Sequence, residues 1–173
     1  MSTSTQKKET TGATTMVVVD LADMKATNHP NGCLATDCLG CGVAVAIYDP
    51  EACVGGLLNF MLPDSNLNRE KALANPFLFA DTGIPLLFRR AYKLGADKGR
   101  IVVRAVGGSD LIDPEKLINL GANNRQSLQD ILTTNNVTLN GRHYGKHQGM
   151  SLRLYMETGE VLMETSDGEE VEL

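Results

Sequence analysis

The chain has 173 residues, of which 42% are hydrophobic, and this suits a single globular domain with a packed core. It carries 16 basic and 21 acidic side chains, so its formal net charge is −5. That balance argues against a nucleic-acid-binding protein, because such proteins present a basic face. No apolar run approaches the roughly 20 residues that span a bilayer, so membrane insertion is not expected.

The first segment, residues 1–15, is polar and contains eight Ser or Thr residues. Its composition predicts a disordered tail and lacks the apolar stretch of a secretory signal peptide. We therefore expect a cytoplasmic protein, in which the four cysteines are reduced thiols, metal ligands or catalytic groups. The folded domain is predicted over residues 16–165, and an acidic, solvated tail over residues 166–173.

Strands are predicted where short apolar and β-branched runs are bounded by turn residues. Seven such runs occur, at residues 16–19, 43–48, 54–62, 100–106, 137–139, 152–156 and 160–163. The first run has the composition of a buried strand. The second and third runs are close together and predict an antiparallel hairpin, as do the last two around Thr158-Gly159.

Two helices are predicted between these strands. Over residues 80–94 the apolar side chains recur at helical spacing, and Gly95 follows as a typical terminating residue. A second helix is predicted over residues 125–134. Turn-forming residues predict irregular structure in the remaining stretches, which are a turn at 25–32, a tight bend at 33–42, a loop at 63–79, a turn at 120–124 and a Gly-rich loop at 140–149. The pattern favours a single layered α/β domain of the α+β kind, with mixed sheets, hairpins and about two main helices.

Three of the four cysteines lie within nine positions, as Cys33-x4-Cys38-x2-Cys41, and the fourth is Cys53. This spacing is compatible with thiolate ligation of an iron–sulfur cluster or a zinc ion. Cys38 and Cys41 also form a CxxC pair that could be redox-active. A simpler interpretation is that Cys33 and Cys53 are small buried apolar residues, as free cysteines often are. We expect no bound metal or other cofactor, and the four-cysteine metal site remains an alternative.

Six short motifs in order resemble the CheD family over about residues 16–165. They are Thr36-x-x-Leu39-Gly40-x-Gly42-VAV-x-x-Tyr48-Asp49-Pro50, Gly55-Gly56-x-x-Asn59-Phe60-Met61-Leu62-Pro63-Asp64, Phe79-Ala80-Asp81-Thr82, Gly95-Ala96, Gly107-Gly108 and Leu120-Gly121-Ala122-x-Asn124. CheD proteins are glutamine deamidases that act on chemoreceptors in chemotaxis. The resemblance implies a cysteine-protease-like reaction at a Thr, Cys and His triad.

At the positions that match this triad the chain retains Thr36 but has Gly42 for the cysteine and Asn59 for the histidine. Glycine offers no nucleophile, and an asparagine amide is not a base near neutral pH. We therefore expect a family member that has lost the deamidase activity. An alternative is a relocated nucleophile, Cys41, although no spacing argument brings His29, His143 or His147 to it as a base.

The resemblance also implies partners. These are the cytoplasmic helices of a chemoreceptor and a CheC-type phosphatase. We expect Gly55, Gly56, Asp64 and Asp81 to contribute to partner or substrate binding. Arg142 and Lys146 could steer an acidic partner, since chemoreceptor bundles are rich in Glu, although a solvated basic loop is the favoured interpretation.

Overall fold

The computed structural model describes residues 14–109, 119–145 and 149–173, apart from the side chain of Cys38. Two five-stranded sheets stack on each other, and helices cover the outer face of the second sheet. Both sheets are mixed, because each has one parallel strand pair among antiparallel ones. The predicted class, a single layered α/β domain with mixed sheets and two main helices, is confirmed.

Strands are numbered along the chain. The first sheet has the order β1-β3-β8-β9-β10. Its strands are β1 (Thr15–Val18), β3 (Gly32–Leu39), β8 (Met150–Tyr155), β9 (Val161–Thr165) and β10 (Glu170–Glu172). Because β3 and β8 lie inside the sheet, their alternate side chains enter the interface between the two sheets.

The second sheet has the order β2-β5-β4-β6-β7. Its strands are β2 (Asp23–Thr27), β5 (Val54–Phe60), β4 (Val43–Asp49), β6 (Val102–Gly107) and β7 (Gly141–Tyr144). Every residue of β4 and β5 is buried, since one face of this sheet meets the first sheet and the other meets the helices. Such strands read as continuous apolar runs rather than alternating ones.

The helices are α1 (Arg69–Ala74), α2 (Ala80–Lys93) and α3 (Leu120–Thr134). Ile84, Leu87, Phe88 and Ala91 form the buried face of α2 against the second sheet. Gly95 adopts φ +105° just beyond the helix end, a left-handed backbone angle that glycine tolerates. The predicted helix at 80–94, the strands β4 to β6 and both hairpins are confirmed.

The first predicted strand exists, but the prediction that it is buried is wrong. Met16 and Val18 are 57% and 51% exposed, and Val17 is exposed as well. The reason is position: β1 is an edge strand that pairs only with β3 among the described residues. A run of apolar letters does not distinguish an edge strand from a central one.

Four other segments differ from their predictions. The turn predicted at 25–32 contains the end of β2, and the bend predicted at 33–42 is strand β3 as far as Leu39, with the bend confined to residues 40–42. The loop predicted at 63–79 contains α1, because Asn68, read as a loop residue, is its N-cap. The turn predicted at 120–124 is the first part of α3.

The strand predicted at 137–139 is also wrong, since the strand of this region is β7, four residues later along the chain. Val137 and Leu139 do pack on the core, but the backbone N–H of Val137 bonds to Leu132 O at the end of α3. That bond closes the helix and leaves no backbone group of Val137 to donate to the sheet.

The described part of the chain contains ten strands rather than the seven predicted. None of the helices in this part has the length and hydrophobicity of a membrane-spanning segment. Most of the predicted N-terminal tail, together with Lys146 and His147, lies outside the described residues. Residues 166–173, predicted as a solvated tail, include β10, which pairs with β9.

Candidate functional site

Thr36 and Asn59 meet in the interface between the two sheets. Thr36 lies on β3 and Asn59 on β5, and both side chains are buried. The Asn59 amide nitrogen Nδ2 donates a hydrogen bond of 3.0 Å to Thr36 Oγ1. Two positions that lie 23 residues apart in sequence are therefore in direct contact.

Gly42 lies in the bend before β4, next to Asn59. A Cβ atom added to Gly42 would lie 3.6 Å from Asn59 Oδ1, so a side chain here would contact the Asn59 amide. The same Cβ would lie 2.8 Å from Met61 Sδ and 2.9 Å from the Phe60 carbonyl oxygen. The structure thus brings the positions of Thr36, Gly42 and Asn59 together, and Met61 fills the space that a side chain at position 42 would need.

Asn124 holds the backbone around this site, and sequence reasoning missed its role. It lies on α3, fully buried, and its Nδ2 donates to Cys41 O at 2.9 Å and to Met61 O at 2.8 Å. One amide therefore joins the bend to the segment after β5. One signal was available in the sequence: an Asn stands at a helix position that faces the core. A polar side chain at such a position normally has hydrogen-bond partners.

The bend is further fixed by the segment after β6. Gly108 N donates to Gly42 O at 2.7 Å, and Ser109 N donates to Gly40 O at 2.9 Å. Gly108 has φ +60°, and its carbonyl accepts a hydrogen bond from the Arg125 guanidinium of α3. The Gly107-Gly108 motif therefore serves the backbone geometry of the site.

Two buried acceptors at the site have no hydrogen-bond partner among the described residues. They are Asn59 Oδ1 and Asn124 Oδ1. Such groups are uncommon in folded proteins because an unsatisfied buried acceptor costs about 1–3 kcal/mol. Asn59 Oδ1 lies 3.6 Å from the position of a Cβ added at Gly42, so this unsatisfied acceptor adjoins the place that a side chain at position 42 would occupy.

Cys41 is buried next to Gly42, and its backbone carbonyl is held by Asn124. Of the three histidines, His29 precedes β3 and so lies at the opposite end of that strand from Cys41. His143 lies on β7, at the edge of the second sheet, and His147 is outside the described residues. Cys41 as a relocated nucleophile stays a prediction.

The four residues expected to contact a partner have structural roles in the described chain. Gly55 and Gly56 are buried in β5, where an added Cβ would lie 2.5 Å from Met156 Sδ and 2.7 Å from Leu87 Cδ1 respectively. Asp64 caps a short turn by accepting from Asn66 N. Asp81 accepts from Ser65 N at 2.9 Å and from Ser65 Oγ at 2.6 Å, which ties the same turn to α2.

Cys33 and Cys41 are both buried but do not lie in one cluster, and the interpretation of Cys53 as a buried residue is wrong because it is exposed. β3 separates Cys33 from Cys41 by about 20 Å of extended chain, whereas two thiolates of one zinc ion lie within about 5 Å of each other. Among the described residues, no three His, Cys, Asp or Glu side chains are grouped as metal ligands. Burial raises the pKa of the Cys33 thiol, an effect that Arg153 partly offsets. Cys33 is therefore a protonated, buried thiol near neutral pH.

A cationic cluster lies beside the bend. Arg125 and Arg142 each stand over the ring of Tyr144, at 5.6 Å and 5.9 Å from its centroid. Burial raises the pKa of Tyr144, against the lowering effect of the two guanidinium groups. Arg142 is exposed, which fits the expectation that it could meet an acidic partner, whereas Lys146 is outside the described residues.

Comparison with known proteins identifies the family. A family model described as CheD chemotactic sensory transduction matches residues 61–165. The "Probable chemoreceptor glutamine deamidase CheD 1" of Syntrophus aciditrophicus (strain SB) is 41% identical over 152 residues, which cover 88% of this chain and 95% of that protein. The chain belongs to the CheD family.

Other CheD relatives agree over similar lengths. The "Probable chemoreceptor glutamine deamidase CheD" of Solibacter usitatus (strain Ellin6076) is 34% identical, with 91% of this chain and 92% of the relative covered. The "CheD 2" protein of Anaeromyxobacter dehalogenans (strain 2CP-C) is 36% identical, with 88% and 96% covered. The match to the CheD family model begins at Met61 and so does not include Thr36, Gly42 or Asn59. The assignment of these three positions therefore rests on the motifs and on their contact in the fold.

Proposed function

We propose that this CheD-family protein binds a chemoreceptor without deamidating it. The observation that carries the proposal is the composition of the Thr36–Gly42–Asn59 contact. These positions adjoin as a catalytic triad requires, but they present a hydroxyl, no side chain and an amide. The names of the CheD relatives, which describe glutamine deamidases of chemoreceptors, support the choice of partner. The cytoplasm is the compartment in which such a partner is reached.

Deamidation by a cysteine mechanism requires a thiolate that attacks the side-chain amide carbon of glutamine, followed by water that hydrolyses the thioester. A cysteine thiol, with a pKa near roughly 8.5, needs an adjacent base to react efficiently at neutral pH. Gly42 supplies no thiol. The side-chain amide of Asn59 is not basic at neutral pH, so it cannot accept the proton of a thiol. Both steps of the reaction therefore lack their proton-handling group.

What remains at the site is a rigid, buried scaffold. The Asn59 Oδ1 acceptor and the Thr36 hydroxyl are held in place by their mutual hydrogen bond and by the Asn124 clamp on the adjoining backbone. A partner is held by the surrounding family surface with no covalent step. A CheC-type phosphatase is a second partner class that this surface would serve.

The test is to incubate the purified protein with a chemoreceptor cytoplasmic fragment and to follow the fragment by mass spectrometry. We expect binding in a pull-down or calorimetric titration, with no conversion of glutamine to glutamate. A family member that carries both the cysteine and the histidine is the positive control. Failure to bind the fragment would contradict the proposed function.

The alternative is an active deamidase that uses Cys41 as its nucleophile. The observation behind it is the position of Cys41, which is buried next to Gly42. Cys41→Ser separates the two functions. If the protein converts glutamine and Cys41→Ser abolishes the conversion, the protein is a deamidase with a rearranged nucleophile. We expect wild type and Cys41→Ser to be equally inactive and to bind the receptor fragment equally.

A further inference from the structure

A groove opens between α2 and α3, away from the site described above. Its volume is about 320 Å³, which is enough for several side chains. Its apolar lining comes from Ile84, Phe88, Ile131, Leu132 and Val137. Ile84, Phe88 and Leu132 are buried at its floor, so a partner reaches them only by inserting side chains.

The rim of the groove is basic in a protein that is acidic as a whole. Arg89 and Lys98 line it, and Arg90 and Lys93 lie on the same segment. None of these four exposed cations forms an ion pair or side-chain hydrogen bond within the described residues. The segment 88–98 contains one acidic residue, Asp97, so its net charge is +3 against −5 for the chain.

The groove is separate from the Thr36–Asn59 contact. Asn124 and Leu132 lie on the same helix, about 12 Å apart along its axis, and only Leu132 faces the groove. Tyr92 lines the groove near the end of α2, and burial, followed by the charge of Asp97, raises the pKa of its phenol. None of the residues that line the groove belongs to the Thr36–Asn59 contact, so an occupant of the groove would not touch that contact.

We propose that this groove binds an amphipathic α-helix of a partner protein, which inserts apolar side chains between α2 and α3 and presents acidic residues to Arg89 and Lys98. Helices commonly dock in apolar grooves through anchors at i, i+3 or i+4 and i+7. Complementary charges at the rim raise the association rate and fix the orientation of such a helix. The inference does not depend on whether the protein deamidates a receptor.

The shape of the surface distinguishes this occupant from other anionic ones. An anionic membrane is bound through apolar side chains that protrude into the headgroup region, whereas the apolar side chains here are recessed. Single-stranded nucleic acid stacks its bases on exposed aromatic rings along a basic channel. The groove has one half-exposed ring, Tyr92, and its other ring, Phe88, is buried at the floor.

The test uses a capped peptide of roughly 18 residues, long enough to be helical, with Leu at i, i+3, i+4 and i+7 and Glu at the flanking positions. We expect it to bind the full-length protein with a Kd on the order of micromolar, measured by fluorescence anisotropy or calorimetry. The double variant Arg89→Glu, Lys98→Glu should weaken binding by about tenfold or more, because attraction at the rim becomes repulsion. Tyr92→Ala should weaken it through loss of an apolar wall.

The matched control is Arg69→Glu, Lys71→Glu, which makes the same change of net charge on exposed residues of α1. It should leave the peptide affinity unchanged. The proposal is overturned if the peptide does not bind, if both double variants weaken binding equally, or if a peptide with Lys in place of Glu binds as well. Co-sedimentation with phosphatidylglycerol vesicles, in the absence of peptide binding, would instead identify a membrane surface.

Discussion

At the level of single residues, the hydrogen bond between Thr36 and Asn59 crosses the interface of two sheets that pack mainly through apolar side chains. The contribution of this hydrogen bond to the free energy of unfolding differs from that of a solvent-exposed hydrogen bond. In a buried setting, removal of one partner leaves the other unsatisfied, and this costs more than removal of both. The pair should therefore behave as a unit.

This coupling can be measured. Thr36→Val leaves Asn59 Nδ2 without its acceptor and should lower the free energy of unfolding by about 1–3 kcal/mol. The double variant Thr36→Val, Asn59→Leu should be more stable than the sum of the two single effects predicts, as determined by urea denaturation. Thr133→Val is the control, since the Thr133 hydroxyl bonds to Gln129 on an exposed face and should contribute a few tenths of a kcal/mol. Simple additivity would show that the two buried residues are independent.

At the level of elements, the β8–β9 hairpin depends on the residue that turns it. Gly159 has φ +74° and lies against the ring of Tyr48, and a Cβ there would be 2.3 Å from Tyr48 Cδ1. Tyr48 in turn donates from its hydroxyl to Met156 O at 2.9 Å. This turn therefore also connects the two sheets, because Tyr48 belongs to β4 in the other one.

Alanine substitutions at Gly168 and Gly159 distinguish the cost of an unfavourable backbone angle from the cost of a steric clash. Gly168 has φ +84° but no heavy atom within 4 Å of its added Cβ, so Gly168→Ala should cost about 1–2 kcal/mol from the backbone angle alone. Gly159→Ala should cost about 1–3 kcal/mol more, because the methyl group must displace the Tyr48 ring. Thermal or urea unfolding of the two variants tests this, and equal costs would show that the ring yields freely.

The elements also show which parts of the fold local sequence can predict. β4, β5 and α2 were predicted because their signals are local: an apolar run for each strand, and a helical repeat that Gly95 terminates. β3 and the start of α3 were missed because their Gly, Asp and Asn residues favour turns locally, while tertiary contacts stabilise them. Gly121 is an example, since an added Cβ would lie 2.5 Å from Ser109 O.

The candidate site divides in the same way. Motif order located Thr36, Gly42 and Asn59, but neither their contact across two sheets nor the filling of the space by Met61 follows from the order of residues. Local sequence predicts a turn at Asn124, and no sequence pattern predicts its hydrogen bonds to Cys41 O and Met61 O. Side-chain bonds between distant segments require the tertiary structure.

At the level of the whole molecule, one buried carboxylate joins the end of the second sheet to the segment after α2. Asp49 is fully buried and accepts hydrogen bonds from Arg100 Nε and Nη2, at 3.0 Å and 2.8 Å, and from Asp97 N at 2.7 Å. Burial alone would raise its pKa, but these donors, with the N–H groups of Glu51 and Ala52, outweigh burial and lower it. A charged Asp49 therefore stabilises the folded state.

The sign of the pH dependence follows from this lowered pKa. The stabilisation is fully present above the unfolded pKa of about 3.9 and is lost as the pH falls toward the lower folded value. Asp49→Asn should flatten the decline in the free energy of unfolding below about pH 5, as measured by urea denaturation across pH. Glu157→Gln, at an exposed residue, should leave the wild-type decline in place. An unchanged decline in Asp49→Asn would show that other carboxyl groups dominate acid unfolding.

The glycine at position 42 bears on how long the effect of this protein on a receptor would last. An enzyme changes its target a little with each turnover, so its effect accumulates with time and persists after the enzyme leaves. A protein that binds the same target without a nucleophile acts only while it is bound, and its effect follows its concentration and vanishes on dilution. The absence of one side chain before β4 would thus convert a lasting covalent record on a receptor into a reversible occupancy.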